Sequence, residues 1–596
     1  MQNYMTKLNN IKKYILPFLF LVMTFVMIPK EAYYKKGTID IVATTTEGTW
    51  KGYLYLLYPL GYRMENSWNR MNGEKKIQKN IKNTILDTYF LHINSPIGEI
   101  SELKFVSNKK TVVISKKSGQ KYFEIPWENI KSIYTISITN IIIYVIVLLI
   151  LTWNCFKKGV ELTKQNIGIF LLILLFLTIS LNMRWLSKVN GIFLSFTILK
   201  MYLDKKKIKF DWLEVVGVIL LILALLSEYF NFFNYEKAYT YFQNGILMII
   251  AMKIWRFNYE DKKILKNYLK ISLILISLIN LFSPLVFSGN YAFTFGTLMA
   301  ILVADSMNQL LFYKRNVNNF IVNTIGLLLG LHGIVISGRR TMIVVLVVYF
   351  LYLFTKFLKK SKKKTIVLFC LGILFSTIMI GVGGKNEKYK IKELIISINN
   401  RKIDESSMQR LLMWRRGYYI GKENPILGIG LDSFYKEAIK NKYDNIKNDN
   451  EKFEDKYIHV HNEYIHQIIS RGIPGAILFY GLWMYILSRL RKSKDKDFDV
   501  MLLIIYGVYG IFDPYSIRAE SIVFYTFIGI SFVNCLPVVE KENKILQKLG
   551  YISTVIIFLI ALYFNKRFRY YFLILLVIYI GYYFYNKRKR EKYERI

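Results

Sequence analysis

Apolar residues come in long runs along this chain, separated by short clusters of Lys, Arg, Asn and Gly. Runs such as ITNIIIYVIVLLILTW, VVGVILLILALL and TMIVVLVVYFLYLF, with their flanks, reach the roughly 20 residues that a helix needs to cross about 30 Å of hydrocarbon. A soluble core does not require this repeatedly. The pattern predicts spans at about 13–29, 138–154, 166–182, 185–203, 212–231, 238–255, 268–287, 290–313, 319–337, 341–358, 365–383, 463–488, 499–516, 519–537, 550–564 and 569–585.

Two long segments break the pattern. Residues 31–135 hold short runs, among them GTIDIVATT, GYLYLLYPL and TVVISKK, that are β-rich, partly alternating and bounded by turn residues. They predict a small β-sandwich-like insertion, either a sugar-binding module or a spacer. His92 lies in one of these strands, in a structural role. Residues 384–462 are long for a connection between spans. Their middle, DESSMQRLLMWRRGYYIGKENP, predicts a helix capped by Asp404, Ser406 or Ser407 and ended by Asn-Pro. On it Arg410, Trp414 and Gly417 share a face, while Arg415 and Arg416 point elsewhere.

The expected fold is an all-α polytopic membrane protein with about 14–16 transmembrane helices and a β-rich N-terminal insertion. Its parts are an anchor at 1–30, the β-rich domain at 31–135, a first bundle segment at 136–383, the long loop at 384–462, a second bundle segment at 463–540, and a final pair of spans with a basic tail at 541–596. The first run lacks a small-residue cleavage site, so it reads as a retained span.

Charge adds the topology. Lys and Arg number 82 against 41 Asp and Glu, a net of +41. The excess is split among many short loops, such as FKKGVELTKQN, RFNYEDKKILKNYLK and KFLKKSKKKT. That is the distribution of cytoplasmic loops, and no nucleic-acid partner is implied. The alternation places both termini in the cytoplasm and both long segments outside. The basic loop NKRFRY falls outside and is the exception. Cys155, Cys370 and Cys535 lie in or beside spans and define no disulfide framework.

The candidate chemistry collects at the outer ends of spans. Arg339 and Arg340 open the span at 341–358, Arg410 lies on the loop helix, and HVHNE places His461 just before the span at 463–488. Arginine offers a planar fork of donors that matches phosphate oxygens. Imidazole takes up a proton near neutral pH. Together they suit a reaction that departs from a phosphate while activating a hydroxyl. Each has a plainer reading too: Arg339 as a headgroup anchor, His459 and His466 as structural groups. HVH without a fixed third ligand is a weak metal signal. The one Asp-x-Asp, Asp495–Lys496–Asp497, falls in a cytoplasmic loop and reads as a solvated charge run. Asp305, inside a span, is either a proton site of a transporter or a partner for a neighbouring helix.

The run RLLMWRRGYYIGKENPILGIGLDSF, followed by HNEYIHQIISRGIPGAILF, resembles the O-antigen ligase superfamily. The matching positions are Arg410, Leu411 and Trp414, then Pro425, Gly428, Gly430 and Phe434, then His461, Asn462 and Tyr464, then Gly472 and Gly475. Arg340–Thr341 corresponds to an upstream Ser-Arg-Thr-like element, with Arg339 in place of the serine. The resemblance covers about 165–540. It implies a GT-C-like membrane glycosyltransferase, inverting and independent of metal and cofactors. Such an enzyme moves a glycan from an undecaprenyl-diphosphate carrier to an acceptor hydroxyl on a glycolipid or glycan, at the outer face of the bacterial cytoplasmic membrane. His461 is then the general base, and Arg410 and Arg340, assisted by Arg339, hold the diphosphate. Asn462 orients His461, Gly428 and Gly430 permit a tight turn, Trp414 packs the loop or stacks on a sugar, and Tyr464 lies in the same motif. A repeat-unit polymerase shares these features. A lipid-glycan flippase would instead show paired charges deep in several spans.

Overall fold

A computed structural model of the 596-residue chain describes the strands between 38 and 126 and most of residues 2–33, 136–366, 405–438 and 459–594. The chain divides into two compact units. The first is Met1–Val160, Ser180–Arg184 and Leu269–Arg339; the second is Glu161–Ile179, Trp185–Tyr268 and Arg340–Ile596. Among the described residues six helices are long and apolar enough to cross a membrane, and several shorter helices are equally apolar. The protein is a multi-pass membrane protein. The expected span at 365–383 lies largely outside the described residues.

In the first unit, helices α1 (Gln2–Met27) and α2 (Ile138–Phe156) flank the β-rich segment. That segment forms eight strands, β1 (Thr38–Thr45), β2 (Lys51–Tyr58), β3 (Gly61–Asn69), β4 (Lys76–Lys82), β5 (Thr88–Ile93), β6 (Ile100–Ser107), β7 (Lys110–Ser115) and β8 (Tyr122–Pro126), in two antiparallel four-stranded sheets ordered β4-β1-β6-β7 and β3-β2-β5-β8. A sandwich requires the side chains of one sheet to face those of the other, and nearly all of these lie outside the described residues. His92 is in β5 (Thr88–Ile93), opposite Tyr53 and Tyr122. Later helices of the chain are α3 (Asn166–Leu181), α4 (Leu186–Asp204), α5 (Trp212–Asn231), α6 (Ile246–Trp255), α7 (Tyr259–Phe282), α8 (Gly289–Phe312) and α9 (Val317–Ser337). The second half of α7, with α8 and α9, completes the first unit. Gly326, Gly330 and Gly333 line the side of α9 against α8, where an added Cβ would meet Ser306, Val303 or Met299 at 2.7 Å. Small residues thus let the two backbones approach, as in membrane helix pairs generally. Asp305 of α8 is 2.5 Å from Lys270 of α7, which also donates to Asn323 of α9 at 2.7 Å. The carboxylate inside the bundle therefore has a neighbouring-helix partner.

The second unit adds α10 (Arg340–Leu358), α11 (Glu405–Glu423), α12 (Phe434–Ala438), α13 (Glu463–Leu490), α14 (Lys496–Phe512), α15 (Ser521–Asn534), α16 (Lys544–Phe564) and α17 (Lys566–Glu594). Two helix starts and one buried carboxylate correct expectations. Helix α7 begins at Tyr259, nine residues before the expected span, because Asn258 and Asp261 exchange side chain-to-backbone hydrogen bonds of 2.9 Å in a capping box. Residues read as a basic loop are thus helical. Helix α6 starts only after a turn at Gly245. Asp495 is no solvated charge. It is buried, 3.1 Å from Lys262 and 3.0 Å from Lys266, two lysines one turn apart on α7. Lys262 also meets Asp499 at 2.6 Å and donates to Ser531 at 2.6 Å. The hydropathy of a lone lysine predicts exposure; the paired acids on α14 reverse it.

Removing one member of a buried ion pair leaves the other charge uncompensated, which typically costs about 3–5 kcal/mol. Lys262→Met is expected to lower the thermal unfolding temperature of the purified protein in detergent strongly. The double variant Lys262→Met/Asp499→Leu is expected to recover part of the loss.

Candidate functional site

The site is built on an interrupted helix. Asn462 caps α13, accepting from the Ile465 amide at 2.9 Å, and donates to the Ile511 carbonyl at 3.0 Å. Ten residues on, Gly472 takes φ 68° and ψ 178°, and the helix breaks. Pro474 follows, so no N–H is available for the Ser470 carbonyl in the usual i→i+4 pattern. The Ile473 N–H is also diverted, donating to the Pro425 carbonyl at 2.7 Å. The carbonyls of Ile469 and Ser470 would be orphaned. The turn after α11 supplies their donors: Ile429 N–H at 2.8 Å and Gly430 N–H at 3.1 Å. Gly428 (φ +69°) and Gly430 (φ +91°) adopt the left-handed conformation that this insertion demands. A Cβ at Gly428 would lie 2.6 Å from the backbone of Arg471, and one at Gly430 would lie 2.4 Å from the Glu228 carboxylate. Glu228 and Asn231 of α5 clamp the turn, accepting from Leu431 N–H at 2.9 Å and donating to the Gly428 carbonyl at 3.2 Å respectively.

Because the turn is anchored at the break, α11 is drawn down alongside α13. Trp414 donates to the His461 carbonyl at 3.2 Å, Gly417 faces Val460 and Ile465, and Gly421 faces Ile469. Both helices advance together, so they run parallel. Trp414 packs against a core of Met413, Ile420, Phe434 and Val460. Arg410, half-buried, is one turn before Trp414, about 6 Å nearer the start of α11. Arg415 is exposed, and Arg416 turns away to donate to the Ala438 carbonyl. The helix starts at Glu405, so Ser406 and Ser407 lie within it and cannot cap it; Asp404 lies outside the described residues.

His461 precedes the cap with φ 49°, a left-handed conformation uncommon for a residue with a side chain. Its Nδ1 lies 3.1 Å from Asp513 Oδ1. Asp513 sits between α14 and α15, fully buried, and its Oδ2 accepts from Arg518 at 2.7 Å and from the Tyr509 hydroxyl at 3.2 Å. Burial opposes ionisation of Asp513, but the Arg518 guanidinium and His461 outweigh it and hold the carboxyl below the usual range. Burial, reinforced by Arg518, lowers the neighbouring His459 well below an ordinary imidazole. His466 is buried within α13, with Nδ1 3.4 Å from Ser470 Oγ. Tyr464 donates to the Gly507 carbonyl at 2.9 Å.

Arg340 opens α10, which packs antiparallel to α14. Lys356 in the last turn of α10 pairs with Asp497 in the first turn of α14. Arg340 is sixteen residues back from Lys356, and Asp513 is sixteen on from Asp497. Sixteen residues rise about 24 Å in each helix, so Arg340 and Asp513 are level at the same end of the pair. Arg339 belongs to the first unit, where its guanidinium lies 3.6 Å from the Phe293 ring centre. Among the described residues no group of three or more His, Cys, Asp or Glu is placed to hold a metal ion.

Residues 325–480 match the model of the O-antigen ligase family. The chain carries a domain of the O-antigen ligase superfamily. No curated protein matches the chain.

The O-antigen ligase match contains Arg340, Arg410 and His461 and ends before Asp513. Asp513 and Arg518 escape the sequence reading, which puts Asp513 inside a span. A carboxylate at a span end, five residues before an arginine, is the signal that marks them. The reading of Asn462 as the group orienting His461 is corrected: its side chain caps α13 and reaches Ile511, and Asp513 is the group at the ring.

Gly430→Ala forces a Cβ into Glu228 and a left-handed backbone on alanine. A loss of roughly 2 kcal/mol or more is expected, read as a lowered unfolding temperature in detergent. Gly481 of α13 is the contrast. A Cβ there meets nothing within 4 Å. Gly481→Ala is expected to stabilise by about 0.5–1 kcal/mol.

Proposed function

We propose that the protein is a glycosyltransferase that moves a glycan from an undecaprenyl-diphosphate carrier to an acceptor hydroxyl on the extracytoplasmic face of the cytoplasmic membrane. The observation that carries this reading is the 3.1 Å contact between His461 Nδ1 and the buried Asp513 carboxylate, at the head of α13 within reach of α11. The ring's proton is assigned to Nδ1, the nitrogen beside Asp513, which makes Nε2 the basic nitrogen. Nε2 takes the acceptor hydroxyl's proton as the acceptor oxygen bonds to the sugar's anomeric carbon. The bond from that carbon to the carrier's phosphate oxygen breaks, and its electron pair leaves on the diphosphate. Attack from the face opposite the leaving group inverts the anomeric centre. Asp513 stabilises the imidazolium that forms, as the carboxylate does in a Ser-His-Asp triad.

Arg410 and Arg340 meet the growing negative charge on the diphosphate. Their support is positional: Arg410 stands one turn from the tryptophan that touches His461, and Arg340 is level with Asp513. Guanidinium groups supply the charge that a divalent cation supplies elsewhere, so no metal takes part. The acceptor is a glycolipid in a ligase and a second carrier-linked glycan in a polymerase. Deleting the gene separates the two, since a ligase leaves its polymer full-length on the carrier and a polymerase leaves it short.

His461→Ala is expected to insert normally and to lower transfer by about 10²–10⁴-fold, with His459→Ala costing far less. Wild-type activity in His461→Ala would remove the base assignment. Arg410→Lys and Arg340→Lys keep the charge and lose the fork. Each is expected to impair transfer strongly, and the double variant to be little worse than the worse single. Transfer by the purified enzyme is expected to survive excess EDTA; loss with recovery on added Mg²⁺ or Mn²⁺ contradicts the metal-free mechanism.

A further inference from the structure

Below the cap of α13, Glu463, Gln467 and Arg471 recur every four residues on one face, and all three are buried. They form a ladder of hydrogen bonds with one possible polarity. Arg471 Nε donates to Gln467 Oε1 at 2.6 Å, and Gln467 Nε2 donates to Glu463 Oε1 at 2.7 Å. Gln467 Nε2 also reaches Ser516 Oγ at 3.2 Å, and Glu463 Oε2 accepts the Ser516 backbone N–H at 3.1 Å. Among the described residues no ion pair joins Arg471 to a carboxylate; the amide of Gln467 stands between Arg471 and Glu463. A Cβ on Gly510 would be 3.1 Å from Glu463 Cβ, so α14 already lies close against this face.

A buried cation and a buried anion held apart by an amide cost more desolvation than apolar packing of the same volume. Simple space-filling does not account for the ladder. Its product is a fixed Ser516, gripped at its backbone by an acceptor that is itself held in line from Arg471. Ser516 is three residues after Asp513, in the turn that brings the carboxylate to His461. Arg518 grips Asp513 directly from the far side of the same turn. The two grips together over-determine the turn.

We propose that Glu463 and Gln467 are positioning residues for the His461–Asp513 pair. By pinning Ser516 they hold the Asp513 carboxylate at Nδ1 of His461. They touch neither donor nor acceptor. This inference rests on the reading of His461 as the general base.

The test exploits the polarity of the ladder. Glu463→Gln sets an amide against two donors, Ser516 N–H and Gln467 Nε2. Gln467→Glu sets two carboxylates side by side. In the double variant Glu463→Gln/Gln467→Glu the chain closes again. The amide at 463 accepts from Ser516 N–H and donates to the carboxylate at 467, which accepts from Arg471.

Full-length protein in lipid nanodiscs is supplied with the undecaprenyl-diphosphate-linked glycan as donor and the glycolipid fraction as acceptor, both extracted from its own cells. Each single variant is expected to turn over about tenfold more slowly or worse, with KM for that donor within about twofold of wild type. The double variant is expected within about threefold of wild-type turnover. Single variants at wild-type turnover overturn the inference, as does a folded double variant as slow as the singles. If a single variant fails to fold, the double still decides. His461→Ala in the same assay separates the two levels. Transfer surviving in it overturns the base assignment and the positioning role together. Transfer lost in it, with no rescue by the double, overturns the positioning role alone.

Discussion

The second unit depends on one piece of backbone accounting. Within a membrane every peptide N–H and C=O must find a partner inside the protein. Gly472 and Pro474 break α13 and strand the carbonyls of Ile469 and Ser470. The turn at 425–431 enters the bundle to satisfy them through Ile429 and Gly430, while its own Pro425 carbonyl receives the diverted Ile473 N–H. Irregular backbone is tolerated at this depth because the two irregularities complete each other. The consequences spread outward. The inserted turn fixes the end of α11, α11 runs beside α13, and Trp414 is delivered to the His461 carbonyl, with Arg410 one turn nearer the start of α11.

The opposite end of the helices is tied by charge. Lys262 and Lys266 meet Asp495 and Asp499, and Lys356 meets Asp497. Ion pairs in a bundle are poor sources of net stability but strict about register, since a slipped helix leaves charges buried alone. The Lys356–Asp497 pair is more exposed, with Asp497 43% accessible, and marks where the end of α10 meets the start of α14. With the two helices antiparallel from that contact, Arg340 lies toward the same end of the pair as Asp513.

The helices were legible because hydropathy alone carries them, and the loop helix because its spacing and its Asn-Pro stop are local signals. His461 at the foot of a span was legible for the same reason. What was hidden depends on partners distant in sequence. The start of α7 looked like a loop because its lysines are charged; the Asn258–Asp261 capping box is a local signal, but the burial of Lys262 and Lys266 depends on Asp495 and Asp499, more than two hundred residues on. Asp495 looked solvated from the same half of the pair. Asp513 fell inside an estimated span because its neighbours are apolar, and only a fold that ends α14 at Phe512 exposes it as a turn residue. Asn462 could not be assigned to the cap before the first residue of α13 was known. The strands of the β-rich segment were legible from alternation, which fixes neither their grouping into sheets nor what their faces meet.

The arrangement around His461 explains why a buried carboxylate can serve it at all. Carried alone into the bundle, Asp513 would take up a proton, since burial favours its neutral form. A neutral acid beside the ring stabilises no imidazolium. Arg518 prevents this: its guanidinium, donating to Oδ2 at 2.7 Å, keeps the carboxyl ionised while leaving Oδ1 toward His461. The cation stabilises the anion, and the anion in turn is available to a second cation that exists only while a proton is on the ring. His461 itself stands outside the helix, in a left-handed residue whose backbone carbonyl is taken by Trp414 and not by the α13 ladder. An imidazole placed one residue later would belong to the cap, and one placed a turn later, like His466, would be sealed in the core. The position just before Asn462 leaves the ring partly exposed while its Nδ1 meets a charge that the protein holds buried.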